Sequence, residues 1–417
     1  MDTLTTVNNL GGLYIDLGRL QEAERMHERA LAGREKALGS DHMDALTTVN
    51  NLGALYRNLG QLQEAERMYE RALAGYEKAL GPDHMHTLTT VNNLGALYRN
   101  LGQLQEAERM YKRALAGYEK AFGPDHMNTL MAVNNLGGLY SDLGQLQEAE
   151  RMYERALAGR EKALGPDHIH TLTTVNDLGG LYIDLGQLQE AERMYKRALA
   201  GYEKALGPDH MHTLMTVNNL GLLYRNLGQL QEAQRMYERA LAGYEKALGP
   251  DHMDTLTTVN NLGLLYSNLG QLQEAQRMYE RALAGTEKAL GPDHMDTLTT
   301  VNNLGLLYSN FWQLQEAERM YERALAGTEK ALGPDHMNTL TTVNNLGLLY
   351  INLGQLQEAE RMYERALAGY EKALGPDHMH TLTTVNNLGL LYSTLGQLQE
   401  AERMYERALA GREKALG

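Results

Sequence analysis

The sequence predicts an all-α fold, an α-solenoid of ten stacked helix pairs. Three observations predict it. One phrase recurs ten times in 417 residues with a period of 42. Both halves of the phrase carry apolar residues three and four apart, the spacing of an amphipathic helix. Glycine, and in eight copies proline, punctuates the array at recurring places. A single helix pair cannot cover its own apolar faces, so a fixed period means neighbouring copies bury them by stacking.

The copies span 1–42, 43–84, 85–126, 127–168, 169–210, 211–252, 253–294, 295–336, 337–378 and 379–417, read as one array. A column is named here by its residue in the first copy. In "MDTLTTVNNLGGLYIDLG" the apolar columns Leu4, Val7, Leu10, Tyr14 and Leu17 form the stripe of a first helix. Gly18 ends it where a left-handed residue is wanted. A two-residue turn leads to a second helix, "RLQEAERMHERALAGREKALG", whose stripe runs through Leu20, Ala23, Met26, Ala30, Leu31, Ala37 and Leu38. Gly39 stops it, and proline follows that glycine in the next eight copies. The Asp41 column is the expected N-cap of the next helix. Ala23, Ala30 and Ala37 make a narrow face for close helix approach, and Gly11 and Gly33 act the same way.

Composition limits the function. Net charge is −14 and evenly spread. That disfavours nucleic acid and anionic membranes, which want a basic face. Cysteine is absent, which excludes disulfides and thiolate metal sites. The longest stretches without charge, such as Met337 to Gln357, are rich in Thr, Asn and Gln and are no membrane spans. No signal peptide is read at the start, and a cytoplasmic location is expected.

The columns Val7, Leu10, Gly11, Tyr14, Ala23, His27 (Tyr in the other nine copies) and Ala30 resemble the tetratricopeptide repeat. The 42-residue period and phrases such as "VNNLG" and "RALAGYEKALGPDH" resemble its kinesin light chain subtype, seen also in sensor arrays of fungal and bacterial NTPase receptors. The resemblance implies a right-handed superhelix with the first helix of each pair lining its concave side. It implies that the Asn9 column holds peptide backbone. Two departures stand out: methionine (Ile169 once) follows "DH" where the family has proline, and Gly33 replaces a usual aliphatic, loosening the second helix.

Variation concentrates in the columns Asp2, Gly12, Ile15, Asp16 and Arg34. The first four border the groove face of the first helix. The constant amides beside them are Asn9, Asn51, Asn93, Asn135, Asn219, Asn261, Asn303, Asn345 and Asn387, with Asp177 in the fifth copy. Their neighbours Asn50, Asn92, Asn134 and Asn218 belong to the same face. A carboxamide both donates and accepts, so such a ladder can pair with extended peptide backbone. An alternative role for it is to bond neighbouring helices and hold copy spacing. Arg57, Arg99 and Arg225 add charge, the Arg57/Arg99 pair being expected to receive an acidic segment. Leu222, Leu264, Leu306, Leu348 and Leu390 replace the Gly or Ala of earlier copies and make the C-terminal half more apolar inside.

Other signals carry less. Pairs such as His84/His86 sit two apart and do not share a helix face, so no metal site is expected. The Tyr14 and His27 columns are expected in the core, while Tyr76 and its equivalents are exposed or packed on the next copy. Trp312, in "NFWQ", replaces a turn glycine, and a local bend or exposed aromatic is expected there. No nucleophile elbow, phosphate loop or cofactor motif is present, so no enzyme and no cofactor are expected.

The function expected is a protein- or peptide-binding scaffold, the recognition region of a larger receptor or adaptor. The alternatives are a kinesin light chain-type cargo adaptor, or a self-assembling array or fragment that associates through uncapped ends. Near-identical copies also fit a consensus array, though Asp177, Ile169 and Phe311-Trp312 argue for natural drift.

Overall fold

The computed structural model describes residues 2–416, with side chains through Lys414. Among them the chain forms twenty α-helices. These group into two compact units, Met1–Thr255 and Leu256–Gly417. In the first unit the leading helix of each copy is α1 (Asp2–Asp16), α3 (Met43–Asn58), α5 (Met85–Asn100), α7 (Met127–Asp142), α9 (Ile169–Asp184) or α11 (Met211–Asn226). The following helices are α2 (Leu20–Leu38), α4 (Leu62–Leu80), α6 (Leu104–Phe122), α8 (Leu146–Leu164), α10 (Leu188–Leu206) and α12 (Leu230–Leu248). Helix α13 (Met253–Asn268) crosses the division. The second unit continues with α14 (Leu272–Leu290), α15 (Met295–Asn310), α16 (Leu314–Leu332), α17 (Met337–Asn352), α18 (Leu356–Leu374), α19 (Met379–Thr394) and α20 (Leu398–Leu416). No helix among the described residues is long and apolar enough to cross a membrane.

Two interlocks hold each pair. The Gly53 backbone lies against the ring of Tyr69; a Cβ there would sit 2.8 Å from Cδ1. Gly75 lies against Leu46, whose Cδ2 would be 2.5 Å from an added Cβ. A glycine notch on each helix therefore receives a large side chain from the other. The Gly33 column thus tightens the pair, as its reading as a close-approach position expected, rather than loosening the second helix. The saved separation offsets the roughly 1 kcal/mol that glycine costs inside a helix.

The pairs then stack by apolar burial. In the first unit Leu214, Val217, Ala240 and Tyr244 form one buried cluster, with Leu199, Met211, Met236 and Leu248 packed around it. In the second, Ala317 and Tyr321 of one copy meet Leu340, Val343, Leu346 and Leu349 of the next. The Leu13 column, absent from the expected stripe, is buried at Leu55, Leu97 and Leu139. The Tyr14 column, expected in the core, is mostly half-buried. Its hydroxyls reach back to the preceding copy: Tyr140 donates to Glu108 over 3.3 Å and Tyr224 to Glu192 over 3.1 Å. A phenol at the rim keeps its oxygen hydrated or paired, whereas leucine has no such need. The His27 column is the deeper aromatic row, Tyr69, Tyr237 and Tyr363 being essentially inaccessible.

Three residues, such as Leu59, Gly60 and Gln61, join the helices of a pair, one more than expected. Gly60 takes φ 72°, the left-handed region that glycine enters without cost. Trp312 replaces that glycine yet keeps the conformation, at φ 58°, and its side chain is 74% exposed. The helix starts differ from expectation. The N-cap is His42 and its equivalents, not Asp41: the imidazole Nδ1 accepts the backbone N–H of Asp44 over 3.1 Å. Asp41 instead accepts from Lys78 Nζ of the next copy, 2.9 Å away. One residue of offset decides this, because only the residue adjoining the helix can turn its side chain onto the first free N–H groups. A second row of ion pairs, such as Arg71 with Glu35, also links successive copies.

The Arg34 column is buried, apart from the half-buried Arg412. Tyr76 bonds Thr47 over 3.1 Å and stacks on His86 of the next copy. The ends invoked for self-association are the outer faces of the first and last copies, of which Met1, Gly417 and the side chains of 415–416 lie outside the described residues.

Candidate functional site

The leading helices of the first unit present the variable columns side by side. Between α5, α7, α9 and α11 they line a cavity of about 350 Å³. Its wall includes Arg99, Gly138, Ser141, Asp142, Asn176, Asp177, Gly180, Asp184, Asn219 and Leu222, with Tyr153 and Tyr195 reaching in from α8 and α10. Of the expected site residues, Arg99, Asp177, Asn219 and Leu222 are brought together there. Asn176, Asp142 and Asp184 join them, as do the two tyrosines that the pattern placed only in the core.

The asparagines form rungs between copies. Asn93 Nδ2 donates to Asn50 Oδ1 over 3.3 Å, Asn135 to Asn92 over 3.0 Å, and Asn219 to Asn176 over 3.3 Å. Asn51 reaches Asn8 at 3.5 Å. The second unit repeats the rung at Asn303, Asn345 and Asn387. Thr90 and Thr216 add a hydroxyl to the same oxygens of Asn50 and Asn176. The Asn8-column oxygen is therefore occupied by the next copy, which is the alternative role weighed above. The Asn9-column residues are half-buried except the exposed Asn9, and one N–H of each rung donor is used.

Asp177 reverses one rung. A carboxylate cannot donate, so Asn134 Nδ2 donates to Asp177 Oδ2 over 2.9 Å. That frees Asn134 Oδ1, which accepts from Thr174 at 3.0 Å and from Arg160 at 3.4 Å. Arg160, in the Arg34 column, is buried and also donates to Thr174 and to the His170 carbonyl. Burial raises the Asp177 pKa against the opposing pull of Asn134 and Arg160. Burial, reinforced by Asp142, also raises Asp184, whose only bond comes from Ser141 Oγ at 2.9 Å.

Arg99 is not free. Its Nε and Nη2 both engage Asp142 of the next copy, in the two-point geometry that suits guanidinium and carboxylate. The Arg57/Arg99 pair expected to receive an acidic segment is thus reduced to Arg57, which is half-buried. Arg225 turns to Asn226 at 3.4 Å. Leu222, Leu264 and Leu306 are half-buried, and Leu348 and Leu390 exposed.

No group of three or more metal-type ligands is gathered among the described residues. A tetratricopeptide repeat model matches nine overlapping stretches, 2–78, 44–120, 86–162, 129–204, 170–246, 212–288, 254–330, 313–372 and 338–414. The search of curated proteins found no match. Among solved structures, kinesin light chain nearly identical TPR-like repeats from Podosopora anserina share 30% identity, over 48% of this chain and 95% of that one, with TM-score 0.40. BtubC (BKLC) from P. vanneervenii shares 24% identity, over 56% of this chain and 91% of that one, with TM-score 0.43. A Rap protein complexed with Competence and Sporulation Factor shares the fold at 14% identity, over 89% of this chain and 98% of that one, with TM-score 0.59. The chain belongs to the tetratricopeptide repeat family.

Proposed function

We propose that this chain is a protein-binding repeat scaffold that takes an extended peptide segment along the leading-helix face of its copies. The cavity between α5, α7, α9 and α11 carries the proposal, because it is lined by the Gly12, Ile15 and Asp16 columns, in which otherwise near-identical copies differ. A spacer has no reason to vary there, whereas a recognition surface does. That contrast favours the ligand-recognition region of a receptor or adaptor. The Asn9-column amides offer unused polar atoms beside the cavity, and Leu222 and its equivalents offer apolar area. Recognition of this kind is a sum of modest contacts over a preformed surface and needs no chemistry.

Panning a displayed random-peptide library on the whole chain tests it. The reading expects enriched peptides that compete with one another and lose binding to Gly180→Leu or Leu222→Asp. Peptides indifferent to both substitutions, or no enrichment at all, would refute it.

A further inference from the structure

Within that peptide-binding reading, we propose that the cavity of copies three to six is a subsite for one cationic side chain, arginine or lysine, of the bound segment. Four charged residues line it: Asp142, Asp177, Asp184 and Arg99. The single guanidinium is closed onto Asp142. Asp177 and Asp184 are left with neutral donors on the cavity side, an amide and a hydroxyl. Arg160, the other cation near Asp177, is directed at Thr174, Asn134 and the His170 carbonyl and does not line the cavity. Asp177 is half-buried and Asp184 exposed at the cavity. A partly buried carboxylate bonded only to a neutral donor is costly to ionise unless a partner supplies a cation.

The tyrosines point to the same ligand independently. Tyr153 and Tyr195 are only 7% and 2% exposed, and both line the cavity. Each hydroxyl lies just under a glycine: a Cβ on Gly138 would sit 3.2 Å from the Tyr153 oxygen, and one on Gly180 3.6 Å from the Tyr195 oxygen. Among the described residues no hydrogen bond to either hydroxyl is found. Where the same column holds Ala54, Leu222 or Leu348, the hydroxyls of Tyr69, Tyr237 and Tyr363 are sealed in and unbonded. Glycine at 180 thus uncovers the Tyr195 oxygen, while over Gly138 Arg99 Nη1 shares the opening with the Tyr153 oxygen, 2.9 and 3.2 Å from an added Cβ. The phenol oxygens beside two carboxylates make a set of acceptors matched to a guanidinium or ammonium donor. Burial, with the neighbouring Asp177 charge, raises both phenol pKa values, so the oxygens stay protonated and neutral.

The array itself provides conservative substitutions. Asp177→Asn restores the residue of the other nine copies, and Gly180→Leu the residue of the last five. The probe is fluorescein-labelled hexa-arginine at physiological salt, read by anisotropy. Expected is binding that each substitution weakens at least about tenfold, as loss of a buried charge partner does. The outer-face control Asp167→Asn, which removes equal charge, should leave it within about twofold. Equal small losses for Asp177→Asn and Asp167→Asn, with none for Gly180→Leu, would mean diffuse attraction to the net negative chain, and would overturn the subsite. No binding would overturn it too. Competition by spermidine at lower concentration than capped arginine amide would assign the cavity to a free polyamine and likewise overturn a peptide side chain. If library peptides without basic residues bind and ignore Asp177→Asn but not Leu222→Asp, the subsite falls while the peptide-binding reading stands.

Discussion

Asn135 Nδ2 donates to Asn92 Oδ1 across 3.0 Å, tying the fourth copy to the third through two side chains 43 residues apart. This rung is the plainest of its kind. Its copy carries Ala132 where others carry threonine, so no hydroxyl shares the oxygen.

Asn135→Ala therefore strands a buried carbonyl and is expected to cost about 1–2 kcal/mol. Asn219→Ala should cost less, because Thr216 still donates to Asn176. Denaturant midpoints of the two variants check the order. The double variant Asn92→Ala/Asn135→Ala should lose less than the sum of its parts, as coupled partners do.

Gly95 sits against the Tyr111 ring, with an added Cβ only 2.7 Å from Cδ1. In an open helix Gly→Ala stabilises by roughly 1 kcal/mol. Here Gly95→Ala is expected to destabilise by about 1–3 kcal/mol, since a fully buried ring must move. A raised melting temperature would show that the notch is not tight.

His27 replaces a tyrosine in the first copy, is buried, and bonds Asn8 at 3.1 Å. Burial, aided by the Arg34 charge, lowers its pKa. An unfolded histidine takes a proton near pH 6.5, and the folded copy refuses it. Stability supplied by the neutral ring is thus intact above that pH and is lost as pH falls toward the depressed folded value. The first copy should fray in this window by amide hydrogen exchange. His27→Tyr should abolish the dependence.

Trp312 holds a left-handed backbone at φ 58° with its side chain in solvent. That conformation costs a non-glycine residue about 1–2 kcal/mol. Trp312→Gly restores the turn of the other copies and should stabilise by roughly 1 kcal/mol, with an unchanged circular dichroism spectrum. A loss of stability instead would mean that the indole contributes packing.

How much of this was legible in the sequence follows from the range of each signal. The period, both helices of a pair and the glycine turn at Gly60 depend on residues within one copy, and spacing alone reveals them. The Asp41 and Tyr14 expectations missed for a local reason. Apolar character does not distinguish the rim from the interior when a hydroxyl is present, and capping turns on one residue of offset. The reversed rung at Asp177 was visible as a lone acid among asparagines, although its buried partner Arg160 belonged to a column that seemed unrelated.

By itself the sequence determined the repeating unit, its helices and their turns, because 3.6-residue periodicity and left-handed glycines act over a few residues. Tertiary structure alone decided that the Asn8 and Asn9 columns bond each other, that Arg99 closes on Asp142, and that Gly138 and Gly180 open onto two tyrosines. These pairings depend on the stagger of one copy against the next, which arises only when packed faces fix how successive pairs are displaced.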